Sequence, residues 1–299
     1  MKNFETIAEY NDVLGVDTQH PLVSVIDMNK AGMMYHMQHT MSFYSVYLKD
    51  EENCELTYGQ TKYDFKKGSV VCLAPGQNIG TENTDNVKFQ PRGWALFFHP
   101  DLIKSTTLER QMRDYSFFDY QVNEALHLSD KERKVFVALL EQIQNEVEDH
   151  IDRLSKRLIA GSIQLLLDHC LRFYERQFCT RESQNQKIVK KFQLLLDTYF
   201  ERANTGSHGL PTVKYFASEC CLSPNYFGDL IKKESGRTPI QLIKEKTLEE
   251  IKYRLQHTTD SITTISEALG FQYPQHMTTF FKKETTTTPM AFRKNSLST

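Results

Sequence analysis

No stretch of this chain is apolar for long enough to span a bilayer as a helix, which takes about 20 residues. The nearest approach, LIAGSIQLLLDHCLRFY, is interrupted by Asp168, His169 and Arg172. The opening MKNFETIAEYNDVLG lacks an apolar h-region, so a secretory signal is not expected and a cytoplasmic location is. The cysteines Cys54, Cys72, Cys170, Cys179, Cys220 and Cys221 form no CxxC pair, which argues against a zinc ribbon or a thioredoxin-like site. In a reducing compartment they are expected to be buried thiols. Also missing are a Gly-rich phosphate loop, a nucleophile elbow and an HExxH helix. His36 and His39 in YHMQHTMSFY form an HxxH pair with no glutamate at a fitting distance. They are expected to be satisfied histidines rather than metal ligands. No catalytic residue, metal or cofactor is therefore expected, and the chain reads as a non-enzyme.

What is present divides into three textures. Between residues 21 and 100, short runs rich in Val, Tyr, Phe and Leu alternate with turn residues: PLVSVIDM, FYSVYLK, CELTYG, GSVVCLAPG and GWALFFHP. Such runs predict strands of a small antiparallel barrel or sandwich. From residue 129 the period lengthens. Phe136, Leu140, Ile143, Val147 and Ile151 recur at helical steps, with Ser129 or Asp130 as the cap. Further helices are predicted over about 154–178 and 188–200. The stretch ERANTGSHGLP then breaks the pattern and marks a boundary.

The last part is again helical and contains an internal repeat. VKYFASECCLSPNYFGDLIKKESGRTP is followed by ITTISEALGFQYPQHMTTFFKKETTTTP. Val213, Phe216, Ala217 and Leu222 match Ile262, Ile265, Ser266 and Phe271 at a spacing of 49. IKKE at 231–234 matches FKKE at 281–284, and Thr238-Pro239 matches Thr288-Pro289, at a spacing of 50. Each copy reads as a short helix, a tight turn and a second helix with a double lysine at its end, a helix-turn-helix. Tyr226, Phe227, Phe280 and Phe281 are expected to be core. Between the copies, Ile240, Ile243, Leu248, Ile251 and Leu255 give IQLIKEKTLEEIKYRLQH an apolar stripe. That helix would span roughly 25 Å, enough with its turns to set two recognition helices about 34 Å apart. From residue 207 onward twelve Lys/Arg face nine Asp/Glu, while the whole chain carries −2. A mildly basic tail on an acidic remainder suits a polyanion partner.

These residues carry a resemblance. Phe216-Ala217, Leu222-Ser223-Pro224, Tyr226-Phe227, Ile231-Lys232, Gly236 and Thr238-Pro239, then Ile262, Ile265, Ala268, Gly270-Phe271, Phe280-Phe281-Lys282, Thr288-Pro289 and Phe292-Arg293, resemble the DNA-binding region of the AraC/XylS family of bacterial transcription regulators. FKKGSVVCLAPGQ and GWALFFHPDLI are similar to that family's regulatory half. The resemblance implies an α+β chain: a cupin-like antiparallel β-barrel at 1–128 that senses a small molecule or protein, a helical dimerisation segment at 129–206, and an all-α tandem helix-turn-helix domain at 207–299, with motifs near 210–234 and 260–284. It implies double-stranded DNA as partner, RNA polymerase if the chain activates, and a homodimer. Carried over to this sequence, the DNA-contacting set is Asn225, Gly228, Asp229, Lys232, Lys233, Gln275, His276, Thr278, Thr279, Lys282 and Lys283. Asp229 and Thr279 stand where family members often carry an arginine. Tyr35, Tyr47, Trp94 and Phe97 are expected to line an effector pocket. The competing reading is a cupin enzyme or carbohydrate-binding protein with a helical appendage, for which no ligand set or catalytic constellation is visible.

Overall fold

The computed structural model describes residues 2–35, 38–50, 56–58, 61–63, 68–80, 88–121, 124–149, 152–203 and 209–296. The chain separates into two compact units, residues 1–180 and 181–299.

The first unit is built on strands β1 (Lys2–Phe4), β2 (Val23–Asp27), β3 (Met34–Tyr35), β4 (His39–Met41), β5 (Tyr44–Lys49), β6 (Leu56–Tyr58), β7 (Thr61–Tyr63), β8 (Ser69–Leu73), β9 (Lys88–Phe89), β10 (Gly93–Phe98) and β11 (Leu126–His127). Helices α1 (Ile7–Leu14), α2 (Pro100–Ile103), α3 (Thr107–Gln111), α4 (Asp130–Glu148) and α5 (Ser155–Thr180) complete it. Five strands form one antiparallel sheet in the order β11-β8-β5-β10-β2. The others pair as β1-β4, β3-β9 and β6-β7. Among the described residues no sheet closes, so the expected barrel is here an open sheet with three small ribbons.

The pleat sends alternate residues to opposite faces. Ile26, Tyr47, Val71, Ala95 and Phe97 share one face by register. There Phe97, Ala95 and Ile26 bury against Phe4, Ile7, Tyr10 and Leu14. The opposite face carries Val25, Val46, Leu48, Trp94 and Leu96, and α4 packs against β2 and β10. Phe136, Leu140, Ile143 and Val147 of α4 are all buried in this unit. Both α1 and α4 begin with a capping box, Thr6 with Glu9 and Ser129 with Glu132. Arg176 of α5 holds Glu132 through two bonds of 2.9 and 2.8 Å. The buried Gln177 joins α5 to the β11 backbone, donating to Ala125 O and accepting from His127 N.

The second unit is all helical: α6 (Glu182–Ala203), α7 (Val213–Glu219), α8 (Pro224–Ser235), α9 (Pro239–His257), α10 (Ile262–Ala268), α11 (Pro274–Thr285) and α12 (Pro289–Ser296). Sequence periodicity puts α6 in the middle segment ending near 206. Compactness divides the chain after residue 180 instead, because α6 packs on α7, α8 and α9. Phe192 of α6 is 1% exposed and sets its ring edge-on to Phe216 and Phe227, at 5.1 and 5.2 Å. Asn185 donates to Glu234, Tyr199 OH to Gly209 O and Lys246 to Asp197.

In α9 the buried positions are Pro239, Ile243, Thr247, Ile251 and Leu255. Ile240, placed on the apolar stripe by sequence, is 53% exposed. Steps of four from Pro239 define the inward line, and Thr247 fits on it because its hydroxyl is satisfied by Ile243 O at 2.7 Å. The cysteines also differ from expectation: Cys72 and Cys170 are buried, Cys220 is half-buried, and Cys179 and Cys221 are exposed. Cys54 lies outside the described residues. Among the described residues no helix is long and apolar enough to cross a membrane.

Candidate nucleic-acid interface

The repeat folds twice into one backbone path. In the first copy the chain leaves α7 through Cys221 at φ 58°, with Cys221 N bonded to Ser218 O and Leu222 N to Ala217 O, both at 2.9 Å. In the second it leaves α10 through Gly270 at φ 83°, with Gly270 N bonded to Glu267 O and Phe271 N to Ser266 O, both at 3.0 Å. The two turns superpose in bonding pattern at a spacing of 49. The recognition helices then start alike, with Pro224 or Pro274 at the first helical position, where the missing N–H costs nothing. They also end alike. Gly236 at φ 72° donates to Lys232 O, and Thr286 at φ 64° donates to Lys282 O.

Each copy therefore needs two left-handed residues, one in the turn and one after the helix. The first copy has Cys221 and Gly236; the second has Gly270 and Thr286. A β-branched side chain in this region crowds its own backbone by about 1–2 kcal/mol. The threonine run is thereby resolved. Thr285 bonds back to Phe281 O, Thr286 is the left-handed terminator, and Thr288 accepts from Ala291 N ahead of Pro289. Thr286→Gly is expected to raise stability by about 1 kcal/mol, read as a later helical transition in denaturant. A lower midpoint would show that Thr286 is not strained.

The inward faces are Tyr226, Phe227, Leu230 and Ile231 in α8, and Met277 and Phe281 in α11. Met277, in register with Phe227, was missed in the sequence, although its spacing of four from Phe281 is the signal. Phe280 is half-buried, its ring 6.0 Å from Phe271. The outward face brings the expected contact residues together on each helix. Asn225, Lys232 and Lys233 are exposed, and Gly228 and Asp229 half-exposed. A Cβ at Gly228 would meet nothing within 4 Å, so the backbone there is bare for close approach. In α11, Gln275, His276, Thr279, Lys282 and Lys283 are exposed. Thr278 is half-buried and its hydroxyl donates to Pro274 O at 3.0 Å. The lysine pairs sit in the last turn of each helix, where the dipole favours cations. Beneath the first turn, burial raises the Cys220 thiol above its ordinary range, with the Lys191 charge opposing. Helical residues 224–231 and 274–281 thus present different chemistry on matching helices: Asp229 against Thr279, and the inward Tyr226 against the outward His276.

The expected effector set is not gathered. Phe97 is fully buried in core. Tyr47, half-buried, bonds the Tyr10 hydroxyl at 3.3 Å, and burial raises its phenol well above the usual range. Trp94 lies on the opposite face of the sheet by register, so no single pocket takes all three. The side chain of Tyr35 lies outside the described residues. The clefts beside Glu5, Pro21 and His99, and between β2 and the end of α4, have none of Tyr47, Trp94 and Phe97 in their walls. His36 lies outside the described residues. His39 is buried with its ring against Phe4 and Tyr10. Among the described residues no group of three or more His, Cys, Asp or Glu side chains is placed to hold a metal ion.

A helix-turn-helix domain family matches residues 216–295. The chain is 28% identical over 161 residues to the HTH-type transcriptional activator RhaS of Pectobacterium carotovorum, covering 53% of this chain and 55% of that one. It is 35% identical over 82 residues to the HTH-type transcriptional regulator YobQ of Bacillus subtilis, covering 27% and 34%. It thus spans about half the length of the first and a third of the second. A solved structure, the C-terminal domain of the two-component response regulator yesN from Fusobacterium nucleatum, is 27% identical, with 34% of this chain and 96% of that one covered and a TM-score of 0.30.

Proposed function

We propose that the chain is, by its C-terminal domain, a regulator of the AraC/XylS family, and that it binds operator DNA through both helix-turn-helix motifs. The observation that carries the reading is the duplicated geometry: two turns with the same bonding pattern, each delivering a helix whose outer face is polar and whose last turn holds two exposed lysines. A helix of this kind fits the major groove, with base edges read near its N-terminal turns and phosphates met by the lysines. Helix α9, 19 residues and about 28 Å long, spaces the two. Selection of duplexes from a random-sequence library by the full chain tests this. An enriched site with two contacted segments about one helical turn apart is expected, and no enrichment over unselected DNA overturns it.

On this reading the first unit is the sensor, cupin-like in its sheet, and effector binding shifts a pre-existing equilibrium between DNA-competent and incompetent states. Dimerisation runs through α5 rather than α4. The apolar face of α4 is consumed inside its own unit, whereas Leu154, Leu158 and Leu165 are 40%, 47% and 45% exposed. With Gly161 between them they recur at steps of four, three and four, a stripe on one side of a helix. The double variant Leu158→Glu/Leu165→Glu is expected to sediment as a monomer with an unchanged melting curve. A dimer of wild-type affinity would remove α5 from the interface.

A further inference from the structure

From the recognition helices onward the repeat runs at a spacing of 50, so Ser223 corresponds to Tyr273 and Tyr226 to His276. In the first copy Ser223 is 2% exposed and its hydroxyl accepts from Tyr226 N at 3.2 Å, while the Tyr226 ring is buried. This is a conventional capped start, with the aromatic ring turned to the core. In the second copy the corresponding two residues differ, and the cap residue is also more extended, with φ −140° at Tyr273 against −67° at Ser223. Tyr273 makes no capping hydrogen bond from its side chain. Its ring is 50% exposed and stands perpendicular to the ring of the exposed His276, at 5.2 Å between centroids. Met277 and Phe281 keep the inward places that Phe227 and Ile231 hold in the first copy. The side-chain cap is absent here, and a large half-exposed ring stands in its place at the end of the helix that meets base edges.

We propose that Tyr273, held by His276, packs on the C5-methyl of a thymine in the major groove and makes the second motif selective for an A·T pair there. The inference rests on the reading that α11 enters duplex DNA. The chemistry follows from what the groove floor offers. Its one apolar group is the thymine methyl, and an uncharged ring fixed edge-on to a neighbour fits it, while phosphates are matched by Lys282 and Lys283 one helix-length away. The first copy, with Ser223 tucked under its helix, makes no such contact. The two motifs therefore read their half-sites by different means despite sharing one helix-turn-helix plan.

The test uses the full chain, a duplex it selects from a random library, and copies of that duplex in which single thymines are replaced by uracil, which removes only the methyl. For the wild type, one uracil in the segment covered by α11 is expected to weaken binding about five- to tenfold. Tyr273→Ser should bind the parent duplex more weakly by the same factor and be indifferent to that uracil, while melting at a higher temperature because the cap is restored. Tyr273→Phe should keep both affinity and uracil sensitivity. Lys282→Ala should bind all duplexes more weakly yet keep the uracil effect. The proposal is overturned if Tyr273→Ser retains wild-type affinity and uracil sensitivity, or if it melts lower than wild type. Failure of the wild type to enrich any duplex would instead remove the DNA-binding reading itself.

Discussion

Replacing Lys232 and Lys282 together by alanine is expected to weaken binding to every duplex, selected or unrelated, by a similar factor, and to flatten the salt dependence. Both side chains are exposed, one in the last turn of each recognition helix. A lysine at a phosphate displaces a condensed counterion, so each contact adds about 0.9 to the slope of log affinity against log salt. Losing two should lower that slope by roughly 1.8. At about 0.15 M salt the affinity should fall tenfold or more. The folded state is little affected. The helix-ending bonds of Gly236 and Thr286 go to the backbone oxygens of these lysines, which alanine keeps, and the lost dipole interaction is about 0.3–1 kcal/mol per site. Fluorescence anisotropy titrations between about 50 and 300 mM salt measure the slope directly. An unchanged slope with unchanged affinity would leave these lysines as solvated helix ends.

Phe192→Ala should have the largest effect on stability. The ring is 1% exposed and wedged edge-on between Phe216 and Phe227. Truncating a ring so enclosed costs about 3–5 kcal/mol, a large share of the roughly 5–15 kcal/mol that holds a domain folded. The single tryptophan of the chain, Trp94, sits on β10 of the first unit, so two probes separate the units. The part of the far-UV circular dichroism transition that comes from α6 to α12 should move to lower denaturant, and the part from α1 to α5 should stay in place with the Trp94 fluorescence transition. DNA affinity should fall as well, because Phe192 supports the helix that carries Asn225 and Lys232. A tryptophan transition that shifts by the same amount would mean that α6 is structurally part of the first unit rather than of the second.

Much of the second unit is legible in the chain itself because its signals are local. Ser223 before Pro224, Thr238 before Pro239 and Thr288 before Pro289 each announce a helix start, and the structure places each proline at the first helical position of α8, α9 and α12. The strand runs of the first unit likewise fall on β2, β5, β6, β8 and β10. A capping box at Thr6 and Glu9 could have disclosed α1, and the four-residue step from Met277 to Phe281 could have disclosed the second inward face. Other features had no local signal. Nothing in the periodicity of α6 distinguishes it from α4 or α5, since an apolar stripe states that a helix face is buried without saying against what. The exposure of Ile240 depends on which line of α9 meets its neighbours. The proposed pocket of Tyr47, Trp94 and Phe97 was divided by the register of β5 and β10, which sends Trp94 to one face and the other two to the opposite one.

By itself, then, the sequence determined that residues 207–299 hold a duplicated helix-turn-helix with basic helix ends, because caps, prolines and the spacing of apolar residues act within a few residues of chain. Tertiary structure alone decided which copy hides its aromatic ring and which displays it. Tyr226 turns inward beneath a capping Ser223, and Tyr273 and His276 turn outward over Met277. Whether the ring at a given helix position enters the core is settled in each copy by the volume left between neighbouring helices, a quantity no short stretch of sequence contains.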